Sequence, residues 1–206
     1  MVGERIIDKI KIEPKGIEPF LTLSENKQGN SEGGIRTIGV SKTASAGKPV
    51  ITIVTVVFNS ELYLEETILS VLNQGYDNLE YIVVDGGSND RSVEIIKKYD
   101  DKIDYWVSEK DSGIYDAMNK GIHLSTGEWV HFVNSSDALK ANVYLQIIEY
   151  LANNYSKCDV VAFGYSIKNR RGGFLTVDFK PNLDKKWKLP SSHNAMLYKS
   201  SIIKRN

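Results

Sequence analysis

Three short polar stretches carry residue types that could do chemistry. Phe58-Asn59-Ser60, Asp85-Gly86-Gly87-Ser88-Asn89-Asp90 and Asn134-Ser135-Ser136-Asp137 each follow directly on an apolar run. A carboxylate such as Asp85 can accept a hydrogen bond from a ribose hydroxyl or a base N–H, and Gly86 and Gly87 let the backbone come close to a ligand. Asp137 offers a hard oxygen to Mg2+ or Mn2+, ions commonly held by one or two carboxylates together with substrate phosphates. Each cluster alone also fits a polar turn, because Gly, Asn, Asp and Ser dominate turns for backbone reasons. Three of them at equivalent strand ends favour one shared ligand site.

Other chemistries lack their residues. No GxGxxG follows the first apolar strand and no GxxxxGK[ST] occurs, so phosphates are expected on a cation rather than in a glycine nest. His123 reads as a helix-surface residue and His131 as a core or sheet-face residue. Neither has a Cys or His partner at zinc-ligand spacing. There is no GxSxG, and Cys158 only precedes an apolar strand.

The elements that must position these residues alternate. Pro49 introduces "VITIVTVVF", a continuous β-branched run suited to a strand covered on both faces. "SELYLEETILSVLNQG" turns Leu64, Ile68, Leu69, Val71 and Leu72 to one helical face and places Gly75 at the expected C-terminus. "LEYIVVDGG" is a second strand, and "DRSVEIIKKY" a short helix with Asp90 as N-cap. "KIDYWVSE" is a third strand. "GIYDAMNKGIHLS" is a helix with Ile114, Ala117, Met118, Gly121 and Ile122 inward. "EWVHFVN" is the fourth strand, "NVYLQIIEYLANN" a helix and "CDVVAFG" a fifth strand. "GGFLTVDF" and "HNAMLY" read as further strands, antiparallel in part. This alternation predicts an α/β fold with a mostly parallel, doubly wound sheet, whose strand ends share one crevice.

Composition sets the frame. The chain has 206 residues, 41% hydrophobic and 25% charged, enough for one sizeable domain. A single cysteine gives no internal disulfide, and the N-terminus lacks the apolar core of a signal peptide, so a cytoplasmic protein is expected. Residues 1–48 read as an N-terminal extension, poorly ordered or extended, and 49–206 as the domain. Net charge is zero but uneven: residues 49–167 hold 8 basic and 18 acidic side chains, residues 168–206 hold 10 and 2.

From Pro49 onward the ordered motifs "TIVTVVFNSELYLEETILSVLNQG", "LEYIVVDGGSNDRSVEII", "SEKDSGIYDAMNKGIHLSTGEWVHFVNSSD" and "HNAMLY" resemble a family 2 glycosyltransferase of the GT-A fold. The likeness is greatest to the bacterial branch that builds cell-surface polysaccharides. The resemblance implies an inverting transfer from a nucleotide-diphosphate sugar to a saccharide or lipid-linked acceptor, with Mg2+ or Mn2+ as cofactor and no nucleic-acid partner. It implies that Val57, Phe58, Asn59, Asp85, Gly86, Ser88, Asp116, Asn119, Asn134 and Asp137 bind the nucleotide-sugar, and that Asp137 binds the metal.

Three departures stand out. Many members carry two acidic residues after the second strand, the second reading uracil; here that position is Gly86. The usual "DADD" is "NSSD", with Ser136 in place of an acid. The family's general base is an Asp well beyond the "HNAMLY" strand, and no acid follows His193. The domain is therefore expected to be C-terminally truncated, incomplete at its acceptor end, with the catalytic residue unknown and His193 a candidate substitute. Two alternatives are an inactive fragment or pseudoenzyme that binds donor without turnover, and an unrelated nucleotide-binding α/β module. The basic segment with "KNRRGG" and "KKWK" suggests peripheral contact with anionic lipid at the inner membrane face.

Overall fold

In the computed structural model the described residues are 30–45, 47–154, 158–168, 174–177 and 193–204. In chain order the strands are β1 (Ser31–Gly33), β2 (Ile51–Val57), β3 (Leu79–Asp85), β4 (Tyr105–Ser108), β5 (Trp129–Asn134), β6 (Val160–Ala162), β7 (Tyr165–Lys168), β8 (Phe174–Val177) and β9 (Met196–Lys199). The helices are α1 (Leu64–Leu72), α2 (Ser92–Lys98), α3 (Ile114–Leu124), α4 (Val143–Asn154) and α5 (Ser200–Ile203).

The β-branched runs form the centre of the sheet. Every residue of β2 is buried, as a strand covered on both faces requires. Seven strands order as β1-β4-β3-β2-β5-β9-β6. β2 pairs in parallel with β3 and β5, and β3 with β4. β1 and β9 run antiparallel to their neighbours. β7 and β8 make a separate antiparallel ribbon.

Alternate side chains of each strand feed two cores. On one face Ile51, Ile53, Tyr81 and Val83 meet Leu64 and Ile68 of α1, Ile96 of α2 and Tyr144 and Ile147 of α4. On the other face Val54, Val56, Ile82 and Val84 meet Ala117, Met118 and Ile122 of α3 and Ile203 of α5. The α/β, Rossmann-like sheet with helices on both faces is thus as expected. A Cβ on Gly121 would run into the Val54 side chain, so this glycine lets α3 lie close on β2.

Some expected details differ. Leu69 and Ile114 are 40% and 46% exposed rather than inward; each sits at the margin of its helical stripe. Gly75 lacks the positive φ of a helix-ending glycine, and α1 stops at Leu72 with Asn73 in the capping position. Residues 30–48, read as a separate lead-in, partly join the sheet. β1 adds an edge strand, and Arg36, in the 3-10 turn Ile35–Ile38, is buried. Its guanidinium pairs with Glu80 and donates to the Leu124 carbonyl at 2.8 Å. Glu80 also accepts from Thr52 Oγ1, Thr126 Oγ1 and Thr126 N. Residues 1–29, "RRGG" and "KKWK" lie outside the described residues.

Candidate functional site

The chain steps from β2 outward to β3 and β4, then back to β5 on the other side of β2. The C-terminal ends of β2, β3 and β5 therefore open onto the switch point where ligands bind in such sheets. All three polar clusters stand there, laced to one another. Asn59 adopts a left-handed φ of 48°, a conformation that Asn tolerates better than most side chains. Its N–H donates to Ser88 Oγ at 2.8 Å, and its Oδ1 accepts from Asn89 N at 2.9 Å. Ser60 N donates to Ser92 Oγ at 2.8 Å, and Ser60 Oγ lies 2.7 Å from Ser135 Oγ. The N-cap position of α2 is Arg91 rather than the expected Asp90, which stands one residue earlier and accepts from Ser92 N and Glu61 N, both at 3.0 Å.

Asp85 is fully buried, and its carboxylate serves its own loop. Oδ2 accepts from Gly87 N at 3.1 Å, Ser88 N at 3.0 Å and Ser108 Oγ at 2.7 Å, while Oδ1 accepts from Ser88 Oγ. These bonds hold residues 86–88 in the turn that Gly87, at φ 83°, makes. Asp85 thus shapes the site's floor from beneath.

Above that floor lies a cavity of about 740 Å³. Val56, Val57, Ile114 and Ala117 supply apolar wall; Gly86, Gly87, Asn89, Asn134 and Ser135 supply polar edges; Phe58, Lys110, Asp111 and Gly113 complete the lining. This size and mix suit a small organic ligand with a few fixed polar contacts. Phe58 is 62% exposed, which leaves its ring available for stacking.

Asp137 lies just past the lining residue Ser135. Its carboxylate accepts a hydrogen bond from the Asn194 side chain, and its backbone carbonyl one from Thr67 Oγ1 at 2.7 Å. Asn194 Oδ1, on the same amide, is buried with no hydrogen-bond partner among the described residues. Behind it, buried His131 contacts the Asn194 carbonyl through Nε2 at 2.9 Å and Tyr144 Oη through Nδ1 at 2.6 Å. His131 is therefore a core residue tying β5 to α4 and to the turn His193–Ala195. Burial holds the Tyr144 hydroxyl well above its ordinary pKa, so it stays a neutral hydrogen-bonding group.

Among the described residues no group of three or more His, Cys, Asp or Glu gathers as a metal cage. A magnesium-like ion needs less when a diphosphate completes its shell. The Asp137 carboxylate and the orphaned Asn194 amide oxygen are hard donors of the right kind.

Of the expected binding residues, Val57, Phe58, Gly86 and Asn134 line the cavity. Asn59, Asp85 and Ser88 brace its loops. Asp116 accepts from Ser112 N at 3.0 Å and faces Lys120 at 3.6 Å. Asn119 keeps a buried Oδ1 without a hydrogen-bond partner. Neither is among the lining residues. His193 opens a 3-10 turn, and its side chain falls outside those described. Sequence reasoning missed Lys110 and Asp111, and held Asn89 and Ser135 only as members of their polar stretches. Asp111, inside "KDSG", looks like turn chemistry, and only the packing of β4 beside β3 brings it to Gly86.

Comparison with known proteins gives a concordant picture. The family described as Glycosyl transferase family 2 matches residues 52–203. An uncharacterized glycosyltransferase of Mycobacterium tuberculosis is 32% identical over 160 residues, covering 75% of this chain and 60% of that protein. The minor teichoic acid biosynthesis protein GgaB of Bacillus subtilis is 27% identical over 122 residues, covering 57% of this chain and 14% of its own length. S. aureus TarS 1-349 in complex with UDP-GlcNAc superposes with a TM-score of 0.59 at 20% identity, covering 75% of this chain and 46% of that one. The mannosyltransferase PcManGT from Pyrobaculum calidifontis, in complex with GDP-Man and Mn2+, superposes with a TM-score of 0.52 at 22% identity, covering 66% and 41%. At these identities the structural likeness shows the GT-A fold. The chain spans little more than half the length of the first relative and less of the others.

Proposed function

The chain belongs to glycosyl transferase family 2, and on that premise we propose that it binds a nucleotide-diphosphate sugar and takes part in inverting transfer to a saccharide or lipid-linked acceptor. In that transfer the acceptor hydroxyl oxygen bonds to the anomeric carbon as the bond to the diphosphate breaks. The hydroxyl proton leaves, and nucleoside diphosphate is released. The observation that carries the reading is the 740 Å³ cavity at the β2/β5 switch point, lined by Phe58 after β2, Gly86 and Gly87 after β3, and Asn134 and Ser135 at the end of β5.

Bacillus subtilis relatives named for teichuronic acid and minor teichoic acid biosynthesis support a cell-surface polymer as the product. The TarS and PcManGT complexes support a nucleotide-sugar donor and a divalent ion. Asp137 and Asn194 would hold that ion, which would neutralise the diphosphate leaving group. No helix among the described residues is long and apolar enough to cross a membrane. We place the reaction at the cytoplasmic face, and the ten basic against two acidic residues of 168–206 support peripheral contact with anionic headgroups. Liposome sedimentation that ignores anionic lipid would remove that last element.

Titration calorimetry tests the core of the proposal. UDP, GDP, dTDP, CDP and ADP are titrated into folded protein with and without Mn2+. At least one binds, more tightly with the ion. No heat for any of them ends the reading. Donor binding without transfer to any saccharide or lipid-linked acceptor would instead favour a donor-binding fragment or pseudoenzyme.

A further inference from the structure

The cavity wall carries two charged side chains among the described residues, Lys110 and Asp111. Asp111 is the acid, and it fits Gly86 closely. A Cβ placed on Gly86 would lie 2.5 Å from Asp111 Oδ2 and 2.9 Å from its Cγ. The backbone does not demand glycine there, because the left-handed φ in this turn belongs to Gly87. What Gly86 supplies is room. The Asp111 carboxylate stands where a side chain of residue 86 would be.

That carboxylate is also oriented. Oδ1 accepts from Gly113 N at 2.8 Å, which leaves Oδ2 as the edge turned toward Gly86. A carboxylate accepts hydrogen bonds and donates none. Beside a diphosphate it would repel; beside an N–H it forms a charge-assisted bond. Asp85 cannot fill this role, since its oxygens are already spent on the loop below. The cavity therefore has an acceptor at Gly86–Asp111, past the end of β3, and Asn134 past the end of β5 on the other side of β2.

Resting on the donor-binding reading above, we propose that Asp111 reads the nucleobase, its Oδ2 accepting the imide N–H of uracil, thymine or guanine. The acid that selects the base comes from the loop after β4 rather than from the loop after β3.

The test is calorimetry on the whole chain with UDP, GDP and CDP and with N3-methyl-UDP and N1-methyl-GDP, at one Mn2+ concentration. Wild type binds UDP or GDP about tenfold or more tightly than CDP and than the matching methylated analogue, the scale of one lost charge-assisted bond. In Asp111→Asn the Gly113 N–H still requires an acceptor, so the amide oxygen takes the Oδ1 place and the NH2 faces the base. UDP or GDP then weakens about tenfold or more, and preference shifts toward CDP, whose ring nitrogen accepts. An unchanged thermal midpoint shows that the variant folds. Nucleotide binding with a base preference that Asp111→Asn leaves within about twofold, or equal binding of the methylated analogue by wild type, overturns the assignment and leaves the donor site standing. No binding of any nucleoside diphosphate to wild type overturns both.

Discussion

Replacing Asp85 by alanine removes one acceptor from four hydrogen bonds at once. The Ser88 and Ser108 hydroxyls can rotate toward other acceptors. The Gly87 and Ser88 amides cannot, and they sit over a side-chain position that solvent does not reach. Two stranded amides at about 1–3 kcal/mol each give a loss of about 2–6 kcal/mol, a large share of the 5–15 kcal/mol typical of a domain. Asp85→Asn keeps an acceptor and loses the charge, so its cost is smaller, about 1–2 kcal/mol. Urea denaturation followed by circular dichroism reads both values, and calorimetry with UDP or GDP on the same samples reads the site. Alanine should lower stability and donor affinity together, because the turn that carries Gly86 and Gly87 loses its anchor. A carboxylate held in reserve for a ligand behaves in the opposite way: its removal leaves stability unchanged or raised. A stability loss below about 0.5 kcal/mol, with affinity abolished, would refute the bracing role.

Arg36→Met leaves Glu80 charged and buried, so the urea midpoint should fall by the equivalent of about 3–5 kcal/mol, with part regained in Arg36→Met/Glu80→Gln; a loss under about 1 kcal/mol would show the pair to be superficial. Burial pushes Asp104 up to about 6, its Oδ1 having no hydrogen-bond partner. The folded state therefore holds this proton after the unfolded chain has lost it, and stability falls as pH rises between about 4 and 6. Against Asp104→Asn, wild type should gain about 1 kcal/mol from pH 7 to pH 5, read as a difference of urea midpoints; a gain of zero would contradict the shift. Gly121→Ala drives a methyl into Val54 and should cost about 1–3 kcal/mol in the same assay, with α3 and the Ile114–Ala117 wall of the site displaced.

The sequence shows the sheet because β-branched runs and amphipathic helices alternate, and alternation dictates where strand ends meet. It places Phe58, Asn134 and Asp137 at one edge for the same reason. It does not show β1. Ser31–Gly33 has no apolar period and is held by backbone pairing to β4 and by Tyr105 Oη donating to Glu32, with Gly33 leaving room for Asp100 and Trp106. The buried Arg36 looks like an ordinary lead-in charge until Glu80, 44 positions away, supplies its partner. The division of labour between Asp85 and Asp111 is equally hidden. In the sequence Asp85 looks like a ligand-facing acid and Asp111 like turn chemistry, and only the donors around Asp85 and the space at Gly86 separate brace from reader.

The placement of β9 has a consequence for how the protein comes into being. β5 ends at Asn134, yet its outer neighbour begins at Met196, and among the described residues β6 pairs with the sheet through that late strand. During synthesis the parallel core β4-β3-β2-β5 can assemble while β5 still presents a bare edge, a feature that invites wrong pairing. Closing it spans more than sixty residues, a slow kind of contact. The same event delivers Asn194 to Asp137. The nascent chain therefore brings together the two residues proposed to hold the cation in the step that seals this edge, so donor binding of the proposed kind would report that the last strand has arrived.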